Sequence, residues 1–211
     1  MGMRPVFVLA MSAGLGCGLV SCNESNGVDL GLEAASRPLM MLSVDGVGPL
    51  NATTPFNLIR IGQAFQDFNV TEETRFAEDE KYPVITVKQA IEPLLSINPD
   101  AREQNIFSII VHDNKIGNGL GHKIGTRFAD IYSYDNTERC APGMEEWRGK
   151  VMCYAPHARN ILYLFEKPAV ANAPVLENGA APAPAQMTDW TLGAIVWKSP
   201  RPRTRTASAS N

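Results

Sequence analysis

The sequence has few of the residues that carry enzyme chemistry. It contains only three histidines, His112, His122 and His157, and their spacing is not that of a tetrahedral metal site. It has no Gly-x-Ser-x-Gly, no His-Glu-x-x-His and no phosphate-binding Gly-Lys-Ser/Thr. These absences remove the common signatures of serine hydrolases, zinc peptidases and P-loop proteins. We therefore predict a protein that is not an enzyme, with no catalytic residues, no metal and no cofactor.

Long apolar runs are also scarce. The longest covers roughly 16 residues near the N-terminus, which is shorter than the roughly 20 that a membrane-spanning helix needs. One positive charge, Arg4, precedes it, and small residues lead to a cysteine. This layout is typical of a secretory signal peptide, and Leu19-Val20-Ser21-Cys22 matches the bacterial lipobox. The alternative is a buried amino-terminal helix with incidental cysteines. We predict that residues 1–21 are removed and that Cys22 is the lipidation site, acylated with palmitate-like chains.

Several acyl chains would hold the protein almost permanently in a membrane, because each buried CH₂ contributes about 0.8 kcal/mol. Asn23 follows Cys22 at the position where retention in the inner membrane typically requires Asp. By analogy with bacterial lipoprotein sorting, we expect an outer-membrane anchor with the domain in the periplasm. The membrane is then the first predicted partner.

Cysteine is rare, with four in the chain, and Cys17 would leave with the signal peptide. With Cys22 lipidated, Cys140 and Cys153 remain, and two thiols in an oxidising compartment most simply pair. We predict that disulfide. The competing metal site would lack a second pair of ligands.

Positive charge is scarce in the body of the chain. Between Asn23 and Trp197 there are 14 Lys and Arg against 22 Asp and Glu, a net charge of −8. An acidic body argues against nucleic acid as a partner.

Composition divides the chain into four parts. We expect residues 1–21 to form the signal peptide and residues 22–38 a flexible tether. We expect residues 39–198 to form a single domain, within which 168–186 is a flexible insertion rich in Ala and Pro, and residues 199–211 to form a disordered basic tail.

Two helices are predicted, Pro55 to Gln66 with Thr54 as its cap, and Arg127 to Tyr134 after Thr126. Most of the remaining domain alternates or is β-branched in short runs. These runs predict strands over 40–44, 68–71, 74–76, 82–88, 92–98, 105–112, 150–154, 160–165 and 191–197.

A loose repeat relates Gly48 to Phe56 with Gly121 to Phe128, since both run from Gly through Thr to Phe at the start of a helix. The repeat indicates two halves, each a helix followed by a strand meander. We therefore predict an α+β fold, an antiparallel sheet with two helices packed on one face.

Three remaining features could bear chemistry. Gly117, Gly119 and Gly121 suggest a phosphate-binding loop, but their spacing is not that of Gly-x-Gly-x-x-Gly, and a turn-rich connection explains them. His112 beside Asp113 could be an oriented base, although neighbouring residues on a strand point to opposite faces. Glu145-Glu146, between the cysteines, fits a solvated loop.

Four blocks of the sequence resemble the sigma-E-regulated, YfeY-like lipoprotein family. They are Gly46 to Pro55, Lys123 to Tyr132, Cys140 with Cys153, and Ala194 to Lys198, in the order and rough spacing of that family. The family also begins with a lipobox, here at Cys22. The resemblance implies a Gram-negative envelope lipoprotein of unassigned molecular role, expressed under envelope stress. The Ala/Pro insertion and the basic tail depart from the family.

We therefore hypothesise a non-catalytic lipoprotein that binds or supports another envelope component, through its sheet edges or the glycine-rich loop. The alternative is a small periplasmic hydrolase or ligand carrier with His112, His122 or His157 as its base. That alternative requires these side chains to meet a carboxylate in one concave pocket.

Overall fold

The computed structural model describes residues 37–77, 80–133, 140–169 and 181–200. Outside these residues lie the predicted signal peptide, the predicted lipidation site Cys22, nearly all of the predicted tether, and most of the predicted insertion and tail. Among the described residues, no helix is long and apolar enough to cross a bilayer.

Short strands make up most of the regular structure. The described part of the chain contains twelve strands: β1 (Met40–Ser43), β2 (Gly46–Val47), β3 (Leu50–Asn51), β4 (Asn69–Ala77), β5 (Glu80–Gln89), β6 (Glu92–Pro99), β7 (Ile106–Val111), β8 (Ile116–Asn118), β9 (Cys140–Pro142), β10 (Val151–Ala155), β11 (Ala158–Glu166) and β12 (Thr191–Lys198). Two α-helices, α1 (Leu58–Ala64) and α2 (Phe128–Ile131), and two short 3₁₀ turns, Glu145–Trp147 and Pro184–Gln186, complete the described elements.

The predicted α+β class is wrong. Strands account for 50% of the structure and helices for 11%, and α1 is the one described helix of seven residues or more. Apolar residues at helical spacing suggested a longer helix, but Pro55 forms a β-bridge with Asn105. The helix is capped by Asn57, whose side chain accepts the N–H of Arg60, and not by Thr54. The protein is therefore mostly β, in two sheets.

The larger sheet has eight antiparallel strands in the order β4-β5-β6-β7-β12-β11-β10-β9. It consists of two four-strand meanders that join where β7 pairs with β12, with Val111 opposite Ile195. Each meander follows one of the short helices along the chain, as the sequence repeat indicates. The smaller sheet has the order β3-β2-β1-β8, and its β1 and β8 are parallel. The sequence predicted neither the second sheet nor the parallel pair.

The two faces of the eight-stranded sheet differ. We call the face that bears Leu95, Val111, Tyr163 and Ile195 the inner face; its side chains belong to one large core that also includes residues of α1, α2 and the smaller sheet. The opposite face is the outer face. It bears a small apolar cluster: Ile110, Leu162, Leu164, Ala194 and Val196.

Trp147 packs against this outer cluster, together with Met152. Trp147 lies between Cys140 and Cys153, which form a disulfide with an S–S distance of 2.01 Å. The two cysteines are directly opposite each other in the antiparallel pair β9 and β10. The predicted disulfide is confirmed, and it closes the segment that places Trp147 over the outer face.

Candidate functional site

The three histidines lie in different parts of the fold. His112 follows β7 and bonds to Ser96 on the outer face, whereas His122 bonds to Tyr163, which belongs to the inner face. His157 lies in the turn between β10 and β11 with a φ of 61°. Because successive strand residues point to opposite faces, His112 and His122 are on opposite sides of one sheet. The histidines therefore do not converge on a common site.

The glycine-rich loop is a packed connection. The side chain of Asn118 donates to the carbonyl of His122 at 2.9 Å and to the hydroxyl of Tyr163 at 2.8 Å. Burial raises the pKa of Tyr163 to about 12 and lowers the pKa of His122. Gly117 lies against Met41, where an added Cβ would collide with the thioether. These contacts fix the loop to both sheets.

The outer face carries a polar group that the sequence did not predict. The hydroxyl of Ser96, on β6, lies 2.8 Å from Nε2 of His112, and Nη2 of Arg75 donates to the same hydroxyl over 3.3 Å. Ser96 has no exposed surface. Arg75 is on β4, so its side chain passes over β5 to reach Ser96.

Further charged side chains surround this group. Arg75 faces Glu146, at 4.0 Å, and Lys150 pairs with Glu166 at 2.6 Å. We call Arg75, Ser96, His112, Glu146, Lys150 and Glu166 the Arg75 cluster. Gly193 makes room for Glu166, because a Cβ there would collide with the carboxyl group.

The pKa of His112 is lowered to about 4, first by burial and then by the positive charges of Arg75 and Lys150. At neutral pH the imidazole is therefore uncharged and hydrogen-bonded. Glu73 lies on the same strand as Arg75, and its hydrogen bond from Lys88, at 2.7 Å, lowers its pKa.

Ser96 and His112 have the separation of a nucleophile and its base, but their surroundings do not suit turnover. A serine with no exposed surface cannot meet a substrate, and an imidazole with a pKa of about 4 is a poor base at neutral pH. The exposed members of the cluster are charged side chains, which suit binding. Across the described residues, no three or more His, Cys, Asp and Glu side chains are grouped so as to hold a metal ion.

The sequence contained one signal for this site. Ser96 interrupts the apolar run Leu94 to Ile97. The alternation of β6 places it on the outer face, away from the main core. Arg75 gave no such signal, because it lies on an edge strand among other charged residues, and its partner Ser96 is 21 residues away.

Fold and sequence together place this mostly β, two-sheet protein in a family. Residues 36–199 match the family described as "Protein of unknown function (DUF1131)", and the chain belongs to it.

The chain is 28% identical over 160 residues to a protein of Escherichia coli (strain K12) described as "Uncharacterized protein YfeY", covering 74% of this chain and 78% of that protein. It is also similar to the crystal structure of the uncharacterized protein yfeY from Escherichia coli, with a TM-score of 0.60 at 25% identity, covering 75% of this chain and 99% of that one. The predicted resemblance to the YfeY-like family is confirmed at the level of the family.

Proposed function

We propose that this protein is a lipoprotein of the Gram-negative envelope, anchored in the outer membrane through Cys22, with a domain in the periplasm that binds another envelope component without catalysis. The observation that carries the proposal is the Cys140–Cys153 disulfide downstream of a lipobox. Disulfides persist in oxidising compartments and are rare in the cytosol. The paired thiols and the predicted anchor therefore imply the same location.

The binding role is supported by the chemistry of the outer face. The Arg75 cluster combines a buried serine and an uncharged histidine with four charged side chains that are partly exposed. Such a set can hold a ligand by hydrogen bonds and charge. The same features disfavour nucleophilic chemistry at Ser96.

Regulation belongs to the proposal as well. The YfeY-like resemblance implies expression under sigma-E control, in response to envelope stress. A transcriptional reporter of the native promoter, with and without sigma-E activation, tests this part separately. An unchanged reporter would remove the regulation and leave the anchor and the binding role standing.

Labelling with radioactive palmitate tests the anchor. Wild type should incorporate label and fractionate with the outer membrane, and Cys22→Ala should do neither. Cys17→Ala is the matched control, because it changes a cysteine five residues earlier and should leave labelling intact. Unlabelled wild-type protein in the cytoplasmic fraction would overturn the proposed location.

Crosslinking in intact envelopes, followed by purification of the protein, tests the binding role. A reproducible envelope component is expected with wild type and is expected to be reduced with Arg75→Gln. Failure to recover any component across repeated preparations would contradict a binding role.

A further inference from the structure

Arg75 is an arginine whose hydrogen bonds are largely unused. Its side chain is 33% exposed, and among the described residues its guanidinium makes one hydrogen bond, at 3.3 Å, to the uncharged hydroxyl of Ser96. Its one ion pair with a described side chain is with Glu146, whose carboxylate oxygen is 4.0 Å away, beyond hydrogen-bond distance. A guanidinium carries five N–H donors. Most of the donors of Arg75 are therefore available.

The neighbouring charged pairs of this sheet are made differently. Lys88 bonds to Glu73 at 2.7 Å and Lys150 to Glu166 at 2.6 Å. Both are direct, charge-assisted hydrogen bonds. Arg75 is held beside a carboxylate without bonding to it, which sets it apart from both lysines.

The groups around Arg75 favour a negative ligand. Ser96 anchors one end of the guanidinium, and His112, which is partly exposed, shares that serine. The positive charges of Arg75 and Lys150 both lie close enough to His112 to lower its pKa. Glu146 and Glu166 are the acidic groups of the cluster, and Glu166 is occupied by Lys150.

We propose that Arg75, flanked by the accessible side of His112 and by the Lys150–Glu166 pair, binds a ligand through a single carboxylate group. The two oxygens of the carboxylate accept hydrogen bonds from the N–H groups of Arg75 that have no other partner among the described residues, and Glu146 turns away into solvent. Planar carboxylates match the guanidinium fork in this way.

A carboxylate fits this site better than a more highly charged anion. A phosphate would bring about two negative charges at pH 7 beside Glu146 and Glu166. The body of the chain is also acidic, with a net charge of −8, and so repels polyanions. A carboxylate, with a single negative charge, incurs less of both costs than a phosphate does.

Glu146 indicates how the ligand enters. Its side chain is 48% exposed and lies in the 3₁₀ turn inside the disulfide-closed segment. Releasing it requires rotation of a solvated side chain, because no hydrogen bond joins it to Arg75. The turn itself stays in place, since Trp147 remains packed on the apolar cluster of the outer face. Glu146 thus lies where the ligand's carboxylate would bind, but it makes no hydrogen bond to Arg75 that the ligand would have to break.

This inference rests on the proposed binding role but not on the lipid anchor. Palmitate labelling can fail while the site binds, and the site can fail while labelling succeeds. The two outcomes are therefore separable.

The test is a titration of the full chain, purified in detergent, followed through the imidazole NMR signals of His112. The probe is acetyl-glycyl-glycine with a free carboxylate, and its carboxyl-terminal amide is the matched ligand control. We expect a saturable shift of the His112 signals with the acid and none with the amide. Arg75→Gln should weaken binding by about 10-fold or more, since it removes a charge-assisted pair. Glu146→Gln should tighten it by a few-fold, because the competing carboxylate is lost.

Lys81→Gln is the control variant, because it removes one positive charge from the same hairpin at a side chain that faces Phe76. It should bind within about twofold of wild type, as expected for a single exposed charge. In Arg75→Gln, an indole N–H signal of Trp197 at its wild-type position would show that the fold is intact, because that group bonds to Val44 and not to the Arg75 cluster. Arg75→Lys, which keeps the charge without the fork, should bind with intermediate strength.

Three results would overturn the proposal. One is equal binding of acid and amide, and another is unchanged binding by a folded Arg75→Gln. The third is the absence of a saturable shift in wild type up to about 50 mM probe.

Discussion

Trp197 donates its indole N–H to the backbone carbonyl of Val44 over 3.0 Å, across 153 residues of sequence. The bond joins β12, in the middle of the eight-stranded sheet, to the turn that follows β1 in the smaller sheet. Asn160 donates to the same carbonyl at 2.7 Å. This carbonyl is therefore a point at which the two sheets are fastened together.

Trp197→Phe should destabilise the fold more than Trp190→Phe. Both indoles are buried, but the Nε1 of Trp190 has no hydrogen-bond partner among the described residues. The two substitutions remove similar volume, so their difference isolates the bond to Val44, worth about 1 kcal/mol. Urea unfolding measures both. Equal losses of unfolding free energy would mean that the bond contributes nothing.

Replacing both Cys140 and Cys153 with serine should lower the unfolding free energy by about 3 kcal/mol, in the treatment that attributes the effect to unfolded-chain entropy. The disulfide closes a loop with a sequence separation of 13 residues. The fluorescence of Trp147 should also change, because the bridge holds the segment that packs it on the outer face. A reductant should destabilise wild type and leave the double variant unaffected. Coincident unfolding curves for the two proteins would refute this prediction.

Gly46→Ala and Gly62→Ala should act in opposite directions. A Cβ at Gly46 would collide with the backbone carbonyl of Leu50, so strands β2 and β3 would have to move apart. We expect a loss of about 2 kcal/mol or more. Gly62 lies within α1 with open space around it, and alanine there should stabilise by up to about 1 kcal/mol. Thermal unfolding of both variants measures these changes. An unchanged stability of Gly46→Ala would contradict the close approach of Gly46 to Leu50.

Stability should fall on acidification because of His112. Its pKa is about 4 in the folded state against an ordinary value of 6.5, so the unfolded chain binds the proton more readily between these values. The uncharged His112 therefore adds about 3 kcal/mol to the free energy of unfolding above pH 6.5, and this contribution is lost as the pH falls to 4. Glu73, whose pKa is lowered from 4.5, adds a loss in the same direction at lower pH.

His112→Asn should flatten the pH dependence of the unfolding free energy between pH 7 and pH 4.5. His122, whose pKa is also lowered, leaves a smaller residual slope. Urea unfolding at closely spaced pH values provides the measurement. A variant with the same slope as wild type would show that His112 does not control the acid response.

The strands of this protein were largely readable from the sequence. β5 and β12 agree with the predicted runs to within two residues, because alternation and β-branched residues report directly on a half-buried strand. The disulfide was readable for a different reason, since the predicted removal of Cys17 and lipidation of Cys22 leave two thiols that can pair. The repeat between the two halves also has a counterpart in the strand order.

The two predicted helices exist but are shorter than predicted, and the smaller sheet was not readable. In the segment predicted as a helix, Pro55 and Phe56 instead contact the residues that precede β7, where the N–H of Phe56 bonds to the carbonyl of Gln104. Only the seven residues after Asn57 stay helical. The parallel pairing of β1 with β8 joins short segments some 75 residues apart, and no local pattern encodes it. Tertiary contacts override local propensity in both cases.

The site was the least predictable part. His112 was considered because of its neighbour Asp113, but its hydrogen bond goes to Ser96 on the adjacent strand β6, 16 residues earlier. Arg75 reaches the same serine from the sheet edge. Contacts of this kind depend on strand order and on side-chain length, and a single sequence reports neither.

The proposed lipid anchor at Cys22 and the Cys140–Cys153 disulfide are tested together by the intact mass of the native protein extracted from membranes, measured before and after reduction. The account predicts a chain that begins at Cys22, carries acyl groups on that residue, and gains the mass of two hydrogens on reduction as the Cys140–Cys153 bond opens. A chain that still begins at Met1, without lipid and with all four thiols free, would contradict it.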